Sequence, residues 1–175
     1  ADLCRRPVQR WDMEVALLSD THIPSRASRL PPAFRDLVRE ADLVLHAGDF
    51  DSEGAYATVS DLAPALTAVA GNMDPRMGLP AIARVDLGGV EFVLTHGTGS
   101  RRGYRDRVAA TVAAEATGED PVGVSGHTHE VLDEVVDGVR LLNPGSATGA
   151  APASRATMLT ASVADGRLDV RHHEA

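Results

Sequence analysis

Residues 14–22 read EVALLSDTH, and this stretch decides the fold. Four apolar side chains, Val15 to Leu18, follow one another without polar alternation, which suits a short strand covered on both faces. The run then breaks into Asp20 and His22, two side chains able to coordinate a cation. Four more runs repeat the design: DLVLHAG (42–48), ALTAVAG (65–71), VEFVLT (90–95) and PVGVSG (121–126). They are followed by Asp49, by Asn72, by His96, and by His127 with His129. Helical stretches fall between them. PPAFRDLVRE (31–40) opens with proline, DSEGAYATVSDL (51–62) opens with acidic and capping residues, and RRGYRDRVAATVAAEATG (101–118) ends at glycine. Strand followed by helix, repeated, predicts a parallel α/β core.

The last third has a different rhythm. EVLDEVVDGVRLLN (130–143) and ATMLTASVADGRLDVRHH (156–173) each place Asp-Gly between apolar runs, a strong hairpin signal. Gly88-Gly89 does the same before the 90–95 strand. Hairpins added to a parallel core predict an α/β sandwich of sheets with helices outside.

Composition narrows the function. With 175 residues and 43% hydrophobic side chains, the chain can build one sizeable core, so residues 13–175 are expected to form a single domain. Because the first strand pattern starts at Met13, residues 1–12 read as a peripheral extension. All 17 basic side chains are arginine, and 25 acidic ones leave a formal charge of -8. That balance disfavours nucleic acid and anionic membranes, both of which need a cationic footprint. Cys4 is alone, which excludes an internal disulfide and a thiolate metal cluster and points to a reducing, cytoplasmic compartment. No run reaches the ~18 apolar residues of a membrane span.

The residues ending the five runs carry the chemistry. In an α/β sheet the carboxyl ends of the strands converge on one crevice where ligands bind. Residues i and i+2 of an extended chain point the same way, so Asp20 with His22, and His127 with His129, can each offer two ligands to one site. Glycines before Asp49, Asn72 and His127 are expected to supply sharp bends with unusual φ. Taken singly, Asp49 reads as a turn aspartate, Asn72 as a left-handed turn residue and His96 as a hydrogen-bonded strand end. Together the seven donors are too many for one tetrahedral ion and suit two, roughly 3.5–4 Å apart and sharing a carboxylate. Imidazole, carboxylate and amide oxygen without thiolate favour manganese, iron or zinc.

SDTH (19–22), GDFD (48–51), GNMD (71–74), THG (95–97) and GHTH (126–129), in that order, resemble the calcineurin-like metallophosphoesterase superfamily. The short chain and LLNPGS (141–146) are similar to its small YfcE-type phosphodiesterases. The resemblance covers Met13 nearly to the C-terminus. It implies a four-layer α/β/β/α sandwich of mixed sheets with helices on the outer faces. It also implies one divalent ion on Asp20, His22, Asp49 and His129 and a second on Asp49, Asn72, His96 and His127, with Asp49 bridging. Manganese is the family's usual metal, with iron, zinc or nickel also found. The expected reaction is hydrolysis of a small phosphodiester or nucleotide-like substrate, with metal-activated water attacking phosphorus in line and the site at Asp49, His96 and Asp74. One departure matters: many superfamily phosphatases have a histidine after the asparagine that assists the leaving group, and Met73 stands there. This favours aryl or other stable leaving groups, while Asp74 keeps an acidic position able to orient a ligand or water.

Other residues read two ways. His46 fits a core histidine or a hydrogen-bond partner of the ligand groups. Arg76, Arg101 and Arg102 follow ligand-bearing strands and could grip phosphate oxygens or lie in solvated loops. Asn143 and Ser146 are expected to fix a turn near the site, and His172 and His173 to lie on the surface. A phosphomonoesterase, a dinucleoside-polyphosphate hydrolase and a non-catalytic protein-interaction scaffold of the same fold are the alternatives. The sequence leaves homo-oligomerisation open.

Overall fold

The computed structural model describes residues 12–175. Apart from Asp12, whose N–H already bonds Val163 O at 3.1 Å, the segment read as an extension lies outside the described residues. In chain order the elements are β1 (Met13–Leu18), α1 (Pro32–Glu40), β2 (Leu43–His46), α2 (Glu53–Leu62), β3 (Leu66–Ala68), β4 (Ile82–Leu87) and β5 (Val90–Thr95). They continue with α3 (Tyr104–Glu115), β6 (Val122–Val124), β7 (Val131–Val136), β8 (Val139–Pro144), β9 (Thr157–Ala164) and β10 (Arg167–Glu174).

The apolar runs do not share one parallel sheet. They divide between two mixed sheets of five strands, ordered β10-β9-β1-β2-β3 and β4-β5-β6-β8-β7. In the first, β1, β2 and β3 run parallel; in the second, β5, β6 and β8 do. The three hairpins supply the antiparallel pairings β4–β5, β7–β8 and β9–β10, and β9 also pairs antiparallel with β1. Apolar runs report that both faces are covered, but not by what. Val15, Leu17, Leu45, Phe92, Val124 and Leu159 form the core between the two sheets. Ala16, Leu18, Val44 and Met158 point the other way, against Phe34 and Val38 of α1 and Val59 of α2. Val93 and Leu141 face Tyr104, Val108 and Val112 of α3. The result is the four-layer α/β/β/α sandwich.

Helix starts follow local chemistry. Pro32 opens α1, and the Ser52 side chain caps α2 by accepting from Ala55 N. At α3, Gly103 takes φ +71, so the helix begins three residues later than the charged run suggested. No helix among the described residues is long and apolar enough to cross a membrane.

Candidate metal centre

The carboxyl ends of β1, β2, β3, β5 and β6 meet at one edge of the sandwich, so both sheets contribute to the site. Beyond the strands, the loops zip together through their backbones. Asp20 N donates to Gly48 O, His22 N to Asp49 O and Ile23 N to Phe50 O, at 3.0–3.1 Å. Gly126 N donates to His96 O at 3.1 Å and Ala147 N to Ser19 O at 2.9 Å.

Five of the seven expected ligands converge and are buried: Asp20, His22, Asp49, His96 and His129. Asp20 Oδ1 lies 3.3 Å from His129 Nε2, 3.7 Å from His22 Nε2 and 3.9 Å from His96 Nε2. Asp49 Oδ2 lies 3.2 Å from His96 Nε2 and 3.6 Å from His22 Nε2. Both carboxylates therefore stand between the two groups of imidazoles. Asn72 and His127 form the outer side. Asn72 Oδ1 is 3.1 Å from His127 Nδ1, and the His127 ring meets the His96 ring edge-on at 5.2 Å. Asn72 is exposed and His127 half-buried, so solvent and ligands reach the cluster from their side.

The four imidazoles share one arrangement. His96 Nδ1 lies 2.7 Å from Ala47 O, His129 Nδ1 2.8 Å from Ala150 O, and His127 Nε2 2.7 Å from Gly99 O. A carbonyl oxygen only accepts, so each of these nitrogens carries the proton and donates. His22 Nδ1 donates to Asp51 Oδ1 at 2.8 Å. The remaining nitrogens, Nε2 of His22, His96 and His129 and Nδ1 of His127, thus present lone pairs inward, as metal-binding histidines do. Asp20 Oδ1 and His96 Nε2 are buried without a hydrogen-bond partner. An unsatisfied buried polar atom costs about 1–3 kcal/mol, and a cation between them satisfies both.

Electrostatics point the same way. Burial works to raise the Asp20 carboxyl, but the His129, His22 and His96 imidazoles packed around it hold it well below the usual carboxylate range. At Asp49 burial is likewise outweighed, by the neighbouring His96 imidazole and by the Met73 N–H, which lower it. Burial lowers His22 and His96, yet the Asp20, Asp49 and Asp51 carboxylates close around them bring both above their ordinary value. Two ionised carboxylates and two imidazoles pulled toward the cationic form describe a pocket that takes up positive charge. The donor set fits divalent ions.

Backbone conformation departs from expectation in an informative way. Only Gly48 of the three motif glycines needs a left-handed φ (+97). A Cβ on Gly71 would overlap the Asp49 carboxylate, and one on Gly126 the Ser19 hydroxyl, so close approach excludes side chains there. The left-handed conformations belong to the ligands themselves: Asp20 (φ +52), His22 (+47), Asp49 (+62), His127 (+72) and His129 (+62). Each costs about 1–3 kcal/mol and persists where surrounding structure imposes it, as at functional sites.

Asp74 faces the backbone. Its Oδ1 accepts from Phe50 N and Asp51 N at 2.7 and 2.9 Å, its Oδ2 from Asp49 N and Gly71 N at 3.0 and 2.8 Å. His46 is buried, accepts from Gly48 N at Nδ1 (3.1 Å) and so donates from Nε2 to Thr21 Oγ1 (2.8 Å). Burial pushes it down to about 3, which keeps the ring neutral. Asn143 donates to Gly126 O at 3.0 Å and Ser146 to Asp20 O at 2.8 Å, tying the loop after β8 to two ligand loops. Tyr104 OH also donates to Gly126 O (2.6 Å), and burial raises its phenol to about 12.

Arg101 bonds Thr128 O and Glu130, beside a cleft of about 370 Å³ that reaches His129; Arg76 and Arg102 are exposed. On β10, His172 is exposed and His173 half-buried against Thr160. Sequence reasoning missed Asp51, although its position two residues after Asp49, on the face-sharing spacing used for the other pairs, is a usable signal.

The fold and donor set define a class: a four-layer sandwich carrying an Asp/His cluster suited to divalent metals at the strand ends. The chain belongs to the calcineurin-like phosphoesterase superfamily, whose domain matches residues 13–166. It is 38% identical over 138 residues to a probable metallophosphoesterase of Methanothermobacter thermautotrophicus, covering 78% of each chain. It is 28% identical over 140 residues to vacuolar protein sorting-associated protein 29 of Schizosaccharomyces pombe, covering 79% of this chain and 74% of that one. The zinc complex of the corresponding Entamoeba histolytica protein shares the fold, with a TM-score of 0.65 at 24% identity over 93% of this chain and 99% of that one.

Proposed function

We propose that this chain is a dinuclear metal-dependent phosphodiesterase acting on small phosphodiesters or nucleotide-like substrates. The observation that carries the reading is the locking of four imidazoles by oxygen partners, so that their lone pairs and two ionised carboxylates address one space. Asp20, His22, Asp49 and His129 would hold one ion, and Asp49, Asn72, His96 and His127 the other. Manganese is the proposed metal, with iron, zinc or nickel as substitutes. Bound divalent ions lower the pKa of water toward neutrality and neutralise phosphoryl oxygens. The protein's part is positional. Asp49, between His22 and His96, would be the carboxylate common to both ions; the open Asn72–His127 side would admit the ester; Asp74 holds the Asp49 loop in place.

The preference for diesters with stable leaving groups rests on Met73. Its N–H is fixed to Asp49 Oδ1 at 2.8 Å and the residue is 46% exposed, so a group with no proton to give stands next to Asn72. We also place the protein in the cytoplasm and read residues 13–175 as one domain.

Kinship with vacuolar sorting proteins favours a second reading, a scaffold that recruits partners. Zinc bound to one such protein shows that metal content alone does not separate the two. Turnover does. Stripped protein should be reloaded with each of several divalent metals and assayed on matched mono- and diesters, with Asp49→Asn as control. We expect diester hydrolysis that this substitution abolishes while the fold survives. A metal-loaded protein inert on every ester would establish the scaffold reading, and full activity in Asp49→Asn would remove the bridging role.

A further inference from the structure

Three of the four inward-facing imidazoles lean on main-chain carbonyls; His22 alone leans on a carboxylate. We propose that Asp51 is a positioning residue for the metal centre, fixing the His22 tautomer and strengthening Nε2 as a ligand. The inference rests on the ion-binding reading above. Asp51 Oδ1 accepts from His22 Nδ1 at 2.8 Å, and its other oxygen accepts the Ser25 hydroxyl. The Asp51 side chain is 5% exposed, so the bond is sheltered from water. Its backbone takes φ +75, a conformation L-residues rarely adopt, and its N–H is held by Asp74 Oδ1 at 2.9 Å. Asp51 is therefore held from both sides: at its carboxylate by Ser25, from the loop after β1, and at its backbone N–H by Asp74, from the loop after β3. A carbonyl partner orients an imidazole, whereas a carboxylate also raises its basicity, and losing such a partner typically weakens metal binding about 10–100-fold.

The test follows manganese binding to the full chain by titration calorimetry, beside nitrogen NMR of the His22 ring in ion-free and zinc-loaded protein. Wild type is expected to bind two ions, with His22 protonated at Nδ1. Asp51→Ala should weaken one of the two ions about 10–100-fold and let His22 mix tautomers. Asp51→Asn keeps an acceptor without the charge, so it should keep the tautomer and show a smaller loss. Ser25→Ala removes one of the contacts that hold Asp51 and should lose less affinity than Asp51→Ala, and melting curves in chelator report whether each variant folds. Two ions at wild-type affinity in Asp51→Ala, with His22 still protonated at Nδ1, would overturn the role of Asp51 alone. Wild type binding no ion near His22 would overturn the ion-binding reading, and this inference with it.

Discussion

His22 Nε2 lies 3.1 Å from His129 Nε2, while the other nitrogen of each ring donates to an oxygen, Asp51 Oδ1 or Ala150 O, at 2.8 Å. Two lone pairs at that distance repel unless a proton or a metal ion stands between them. Beside them, Asp20 Oδ1 is buried and unpartnered. The folded chain thus contains a local conflict that a cation resolves, and ligand binding to the native state alone stabilises it. At an ion concentration 100 times Kd the gain is about 2.7 kcal/mol, or about 5–10 °C in Tm for a chain of this size. Calorimetric melts in chelator and in excess manganese or zinc check this; equal Tm values in all three would mean that no ion binds the native state.

The ion-free protein should be most stable near pH 6.5. His22 and His96 are raised in the folded state by the surrounding carboxylates, which outweigh burial. Their contribution is complete below the unfolded value of about 6.5 and is lost as pH rises through the folded values. His46 works in the opposite direction. Burial takes it down to about 3, so stability falls as pH drops from about 6.5 toward that value and the unfolded chain alone takes up the proton. Asp20 and Asp49, both lowered, lose their contribution only at more acid pH. Metal binding needs neutral imidazoles and releases protons, so added manganese should raise Tm more at pH 8 than at pH 6. Melts across pH 4–9, with and without metal, test both signs.

Much of this centre was legible because apolar runs end in donors and because Asp-Gly fixes hairpins: Asp137-Gly138 and Asp165-Gly166 take φ of +49, +80, +50 and +74, as type I′ turns require. The division of the strands between two sheets was hidden, since Val15 and Phe92 look alike in sequence whichever layer covers them. The partners that set the imidazoles, Ala47 O, Gly99 O and Ala150 O, carry no signature because every residue has a carbonyl. The partners of Asp74 were hidden for a related reason. A carboxylate beside a ligand motif suggests chemistry, and only coordinates show both oxygens turned to backbone N–H groups.

Asp74→Ala leaves the N–H groups of Asp49, Phe50, Asp51 and Gly71 without their acceptor. Because the site is only partly buried, water replaces some of these bonds, and the expected cost is about 2–4 kcal/mol. Asp74→Asn keeps one acceptor and should lose about half as much. Since these N–H groups hold the loop carrying Asp49 and Asp51, metal affinity should fall along with stability. Denaturant melts in chelator and metal titrations measure the two effects separately; a loss of activity without either would place Asp74 on the substrate instead.

Met73 offers the most direct test of substrate preference. Its N–H is pinned to Asp49 Oδ1 and the residue is exposed, so on the phosphodiesterase reading position 73 would border the ester while supplying no proton. General acid assistance is worth about 10²–10⁴-fold when the acid is well placed, and it matters most for poor leaving groups. Wild type should therefore favour phenyl-type over alkyl diesters. Met73→His should narrow that gap by raising kcat/KM for alkyl substrates about tenfold or more, with little change for phenyl-type ones, and the gain should fade at alkaline pH as the imidazole loses its proton. Matched kinetics on both substrates, in wild type and variant across pH 6–9, provide the check. An unchanged ratio with metal content intact would mean that residue 73 points away from the leaving group, and the preference would then have to come from the cleft beside His129.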